Sequence, residues 1–256
     1  MPGSSADSRS AARFERTDLW DQPLNEWHAQ LLRHLLAIVP EGTETLLDVG
    51  CGNGNLLHAL DKVPRRIGVD AAKRGVAHLR VPGLVASAGA LPFADRSIDT
   101  VVCAEVLEHL EGDVMHRALA ELKRVARTTL IVSVPNRERR ARNEVRCPSC
   151  HRIFNAYGHL RSFDEEALSS LLADFGPPSF TYEGKQRATS AWLMRLRGRG
   201  LGRWFHDPDM VCPGCGATDF TDHSRDLIFR LAETVNKALH PFATWRYWTI
   251  ATCRRP

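Results

Sequence analysis

No apolar run in this chain approaches the roughly 18 residues needed to span a bilayer, and the N-terminal MPGSSADSRSAARFER lacks the apolar segment of a secretory signal. Both absences make a cytoplasmic protein the expectation. There is no internal repeat, which excludes a solenoid, and no low-complexity tract. Net charge is only +4, yet acidic residues are missing where Lys185, Arg187, Arg195, Arg197, Arg199 and Arg203 occur, and Arg137, Arg139, Arg140, Arg142 and Arg146 form a second basic cluster. Such segments suit an anionic partner or a solvated loop. The 256 residues, 43% of them hydrophobic, fit one α/β domain with insertions.

What is present is a sequence of apolar strands punctuated by turns. LLDVGCGNG (46–54) is an apolar run ending in Asp48, followed by Gly50, Gly52 and Gly54. This order suits a buried strand entering a tight turn that approaches a ligand through bare backbone. It departs from the dinucleotide pattern G-x-G-x-x-G. IGVD ends a second apolar strand in Asp70, where a carboxylate can accept hydrogen bonds from ribose hydroxyls. ALPFADRSIDTVVCAEVLEHL (90–110) reads as a turn, a strand over 98–103 and the start of a helix; Asp99 within it is a structural residue at the strand edge.

Further strands are expected near 45–49, 66–69, 84–87, 129–134, 180–183 and 247–252, and helices near 55–60, from 71, 114–125 and 165–173. Strands alternating with helices imply a parallel sheet covered on both faces. Leu24, Trp27, His28, Leu31, Leu35 and Leu36 predict a helix that ends before Pro40 and lids the ligand cleft, while Leu227, Ile228, Leu231, Val235 and Leu239 predict another inside a long insertion. Residues 1–16 read as a tail, and 17–256 as a single domain with cap insertions at about 137–163 and 188–240.

Two C-P-x-C knuckles, Cys147/Cys150 and Cys212/Cys215, supply four thiolates for a structural zinc; two disulfides are the other reading, but nothing places the chain in an oxidising compartment. A zinc would clip the two insertions into a cap. Cys51, Cys103 and Cys253 read as buried packing residues.

The glycine turn, Asp70 and the third block together resemble class I S-adenosylmethionine-dependent methyltransferases, particularly the branch with ubiquinone-biosynthesis and small-molecule O-methyltransferases. The resemblance implies a Rossmann-like, doubly wound, mostly parallel seven-stranded sheet whose last strand is antiparallel. It implies that Gly50, Gly52 and Gly54 wrap the methionine part of S-adenosylmethionine, that Asp48 orients the turn or meets the ammonium, that Asp70 binds ribose, and that the carbonyl near Ala104 faces the methionine amine. The loop before LPF often carries an acidic residue in that family; this chain has Ser87 and Ala88 there, so a hydroxyl or backbone contact takes over at adenine.

Glu105, Glu108 and His109, at i, i+3 and i+4, share one face of a helix if one begins there, and His159 lies on a loop expected to cross it. This set resembles the Glu-x-x-Glu-His plus distant His of ubiquinone-type and small-RNA 2′-O-methyltransferases, where it binds Mg²⁺ and lowers the pKa of the acceptor hydroxyl. In methyltransferases without metal, the glutamates cap a helix and His109 packs. His109 or His159 is then the general base, with Glu105 beside it. No Pro-Pro-Tyr or similar tetrapeptide follows the strand, where carboxylates and a histidine stand instead, so oxygen is the expected acceptor. The expected substrate is a small molecule, natural product or glycan, enclosed by Phe154, Tyr157, Trp192, Trp204, Phe205 and Trp245. RNA (2′-O or base) is one alternative, and a cofactor-binding scaffold without turnover another.

Overall fold

The computed structural model describes residues 13–15, 17–240 and 242–256. Except for Arg13–Glu15, the expected tail lies outside the described residues. In chain order the strands are β1 (Thr45–Val49), β2 (Arg65–Asp70), β3 (Gly83–Val85), β4 (Ile98–Ala104), β5 (Ala126–Pro135), β6 (Glu144–Arg146), β7 (Ile153–Asn155), β8 (Pro178–Glu183), β9 (Gln186–Arg187), β10 (Thr244–Trp245) and β11 (Trp248–Arg254). Seven of them form one sheet in the order β3-β2-β1-β4-β5-β11-β8. β1 to β5 pair in parallel, whereas β11 runs antiparallel between β5 and β8. This is the expected doubly wound, Rossmann-like sheet, including its antiparallel last strand.

β1 and β4 are apolar on both faces because helices cover both. On one side Leu47, Val101, Leu130 and Val132 pack with Leu119 and Leu122 of helix Gly112–Val125 and Leu168 and Leu172 of helix Glu165–Leu172. On the other, Leu46, Val102, Ile131 and Ile250 meet Leu31 and Leu35 of helix Glu26–Ile38 and Leu57 of helix Asn55–Ala59. Helix Glu26–Ile38, capped by Asn25, which accepts from His28 N, is therefore a covering helix of the sheet and not the lid expected of it. Asp99 braces the start of β1, accepting from the Thr45 amide and hydroxyl at 2.9 Å each. Among the described residues, no helix is long and apolar enough to cross a membrane.

The cap is a smaller assembly. β6 and β7 form a hairpin, and β9 pairs antiparallel with the distant β10. Val145, Ala156 and Met210 make a small core with Phe154, Trp204 and Phe205. The basic clusters stitch it together. Arg139 donates to the Thr189 carbonyl; Arg197, 1% exposed, lies over the Phe229 ring at 4.3 Å and donates to Glu233 and to the Arg142 carbonyl. Several arginines that suited an anionic partner are thus internal struts.

The sheet's weight rests on Trp248, fully buried at the start of β11 against Trp27 (ring centroids 4.9 Å apart) and Tyr247 (5.0 Å). Trp248→Ala should cost about 3–5 kcal/mol, read as a lower urea midpoint.

Candidate active site

In a sheet of this order, ligands bind beyond the carboxyl ends of the strands, where β1 and β4 send their connections to opposite faces. The residues found there begin with the glycine turn. Gly50, Gly52 and Gly54 all take left-handed backbone (φ +79, +51 and +80°). A Cβ at Gly50 would stand 2.1 Å from Val106 Cγ2, so no other residue fits. The Gly50 and Cys51 amides donate to the Val69 carbonyl at 2.7 and 3.1 Å, tying the turn to β2.

Asp70 completes the tie. One carboxylate oxygen accepts from Gly52 N at 2.8 Å and the other from Ala72 N at 2.7 Å. Burial raises its pKa, while those amides oppose the rise. Asp48 is 5% exposed at the end of β1, and burial, then the Asp70 charge, push it up to about 7. Two neighbouring strands therefore end in carboxyls, Asp48 buried and Asp70 half-buried, a site that favours a cation or hydroxyl donors. Ser87 sits beyond β3, where its hydroxyl accepts from Gly89 N at 3.2 Å, and the Ala86 amide donates to the Asp70 carbonyl. Ser87 and Ala88 thus lie on a turn tied to Asp70, and Ala104 ends β4 opposite Ser133.

Beyond Ala104 the chain departs from expectation. Glu105 has φ +58°, and the next element is a single 3-10 turn, Leu107–His109; the α-helix begins only at Gly112. Glu105, Glu108 and His109 do not share a helix face. The kink nevertheless brings them to one pocket. Donor atoms of Glu108, His109 and His159 lie within 4.8 Å of one another, with the His109 and His159 rings edge to face at 4.8 Å. Glu105 accepts from the Ser133 hydroxyl at 3.3 Å, and burial pushes it up to about 7. Glu108 is 1% exposed and neither carboxyl oxygen has a hydrogen-bond partner; burial and the Glu105 charge hold it well above the usual range. Burial, then His159, push His109 well below its ordinary value.

Sequence reasoning missed Glu138. It is buried, accepts from His159 Nδ1 at 2.6 Å through one oxygen, and receives Asn143 and Asn155 at 3.0 and 3.5 Å on the other. With Nδ1–H donated to this carboxylate, His159 keeps Nε2 as its basic nitrogen. Also missed was a strap at the N-terminal edge. Arg13 donates to the Ala156 carbonyl in the cap, Phe14 packs edge-on to His109 at 5.2 Å, and the Trp20 carbonyl accepts from Asn53 in the glycine turn. Those residues cross the pocket, the place expected for helix Glu26–Ile38. Of the expected aromatic enclosure, Tyr157 stands 5.9 Å from His159, but Trp192 is 61% exposed on the outer surface.

The four cap cysteines converge. Sγ atoms of Cys147 and Cys215, and of Cys150 and Cys212, are 3.5 Å apart, too far for disulfides and close to the edge of about 3.8 Å that a tetrahedron with Zn–S of about 2.3 Å requires. Burial alone would raise Cys147, but the Cys150 and Ser149 amides and the neighbouring thiols bring it down to about 6.

Residues 47–131 match the family model described as a methyltransferase domain. A Mycobacterium tuberculosis protein named as a probable S-adenosylmethionine-dependent methyltransferase is 34% identical over 139 residues, 51% of this chain and 47% of that one. The chain thus spans about half the length of the curated relatives it matches. Three solved structures share the fold. Magnesium protoporphyrin IX methyltransferase of Synechocystis, with bound SAH, has a TM-score of 0.57 at 16% identity, covering 98% of this chain and 100% of that one. A chain from the complex of the Haloferax volcanii Trm112 methyltransferase activator scores 0.55 at 17% identity, covering 98% of each. A SAM-dependent methyltransferase of Archaeoglobus fulgidus scores 0.54 at 14%, covering 88% and 91%. The fold is a Rossmann-like doubly wound sheet, and residues 47–131 within it are similar to a methyltransferase domain.

Because Glu105 and Glu108 are held above the usual carboxyl range, the folded protein keeps protons that the unfolded chain releases near pH 4.3. In Mg²⁺-free buffer the urea midpoint should therefore fall as pH rises from about 5 to about 8, and Glu108→Gln should flatten that slope.

Proposed function

We propose that the chain is an S-adenosylmethionine-dependent methyltransferase that O-methylates a small molecule, natural product or glycan. The observation that carries this is the left-handed glycine turn braced by Asp70, with Asp48 buried beside it at the tips of adjacent parallel strands. Those residues fit the donor: two carboxyls without a cationic partner of their own stand where an ammonium and two ribose hydroxyls would be received. Gly50, Gly52 and Gly54 would admit the methionine part, Asp48 the ammonium, Asp70 the ribose, Ser87 and Ala88 the adenine, and the Ala104 carbonyl the amine. When bound, the donor supplies a methyl group already activated by its sulfonium charge.

The chain's own residues then have to align the acceptor, exclude water and remove a proton. His159 takes the acceptor's proton at Nε2 and Glu138 holds its ring; His109 and the strap close the pocket over them. The partnerless oxygens of Glu108 favour a second, mutually exclusive reading: Mg²⁺ held by Glu108, His109 and His159 Nε2 with Glu105 behind, which would lower the pKa of the acceptor hydroxyl in place of a base at His159. In that case added Mg²⁺ removes the pH slope described above. The cap cysteines Cys147, Cys150, Cys212 and Cys215 hold a structural zinc in this reading. An RNA acceptor is the competing assignment, and a salt-sensitive shift with RNA fragments would replace the small-molecule one.

Asp70→Ala and Gly50→Val should each weaken S-adenosylmethionine binding about tenfold or more by calorimetry; unchanged affinity in both overturns the assignment. Elemental analysis should find about one zinc per chain, released on thiol modification.

A further inference from the structure

Helix Leu227–Leu239 is amphipathic but turned the other way from a core helix. Its polar side faces the protein: Glu233 pairs with Arg197 at 2.6 Å, Asn236 accepts from Ser190 N at 2.8 Å and donates to the Ala188 carbonyl at 3.3 Å, and His240 just beyond meets the Ser190 hydroxyl at 2.7 Å. Its apolar stripe faces out, with Leu227 79% and Leu231 60% exposed. The stripe continues past the helix to Phe242, 92% exposed, and onto the neighbouring 191–200 segment through Trp192 and Leu196.

Charge decides what this surface meets. At 100° per residue, Arg230 and Lys237 run along one side of the stripe, both exposed. Arg195 adjoins Leu196 and is exposed, as are Lys185 and Arg187, and no carboxylate occurs between Gly184 and His206. A convex helix with Leu, Trp and Phe outward and cations at its margins has the composition of an element that lies in the headgroup layer of an anionic bilayer. Residues 1–12, MPGSSADSRSAA, hold too few apolar side chains to cover it.

We propose that this face of the cap docks the protein on anionic phospholipid membranes, with Leu227, Leu231, Leu239, Trp192 and Phe242 entering the interface and Arg195, Arg230 and Lys237 meeting phosphates. The assignment is independent of methyl transfer.

Flotation of the full chain with phosphatidylcholine vesicles, with and without phosphatidylglycerol, tests it. The protein should float with the anionic vesicles at low salt and much less with the neutral ones. Leu231→Asp and Lys237→Glu should each weaken binding, the former about tenfold or more, with unfolding midpoints unchanged because both positions are exposed. Asp48→Asn, isosteric and remote from this face, should bind vesicles like the parent chain, which separates this surface from the cofactor crevice. Failure to float with anionic vesicles, equal binding to neutral ones, or binding indifferent to Leu231→Asp would overturn it. So would self-association that Leu231→Asp dissolves in a protein that ignores vesicles.

Discussion

The site depends on one carboxylate. Asp70, at the tip of β2, reaches back to the amide of Gly52 in the turn that leaves β1, so that two neighbouring strands end in a single rigid unit. Without that hydrogen bond, three left-handed glycines at alternate positions would be a floppy turn, since glycine gives up more conformational freedom on ordering than any other residue. With it, the backbone is held open towards the crevice while Val106 fills the space behind Gly50. The same bond keeps Asp70 in place despite burial that disfavours its charge.

A second concentration of buried acid lies a few residues along the next strand. Glu105, Glu108 and Glu138 share a pocket with His109 and His159, and only Glu138 is well supplied with donors. Carboxyls arranged this way repel one another, and such repulsion persists in folded proteins chiefly where something positive or a shared proton is to be accommodated. The left-handed backbone at Glu105 belongs to the same economy of strain: it breaks what would otherwise be a helix and swings Glu108 inward.

How much of this was legible in the chain follows from range. The strands of the main sheet were readable because their apolar runs are bounded by glycine, proline and acidic residues, and helix Leu227–Leu239 because its periodicity is local. Which way that helix faces was not, since spacing tells which side chains share a side and never which side meets the protein; Arg197 and Asn236 decide it through contacts distant in sequence. Glu138 sits in an arginine-rich stretch that reads as a contact for an anionic partner or a solvated loop, and its burial arises only when Asn143, Asn155 and His159 close around it. The i, i+3, i+4 pattern at Glu105 misled for the opposite reason: it presumes a helix that the kink forbids, yet the residues still converge.

The position of β11 has an implication for how the molecule assembles. Arg254 pairs with Thr129 and Cys253 with Pro178, so the strand latest in sequence is wedged between two much earlier ones. β8 can join the sheet only through it. Closing such distant pairings early is entropically unfavourable, and until this strand arrives the edges of β5 and β8 lack the partner they have in the finished sheet.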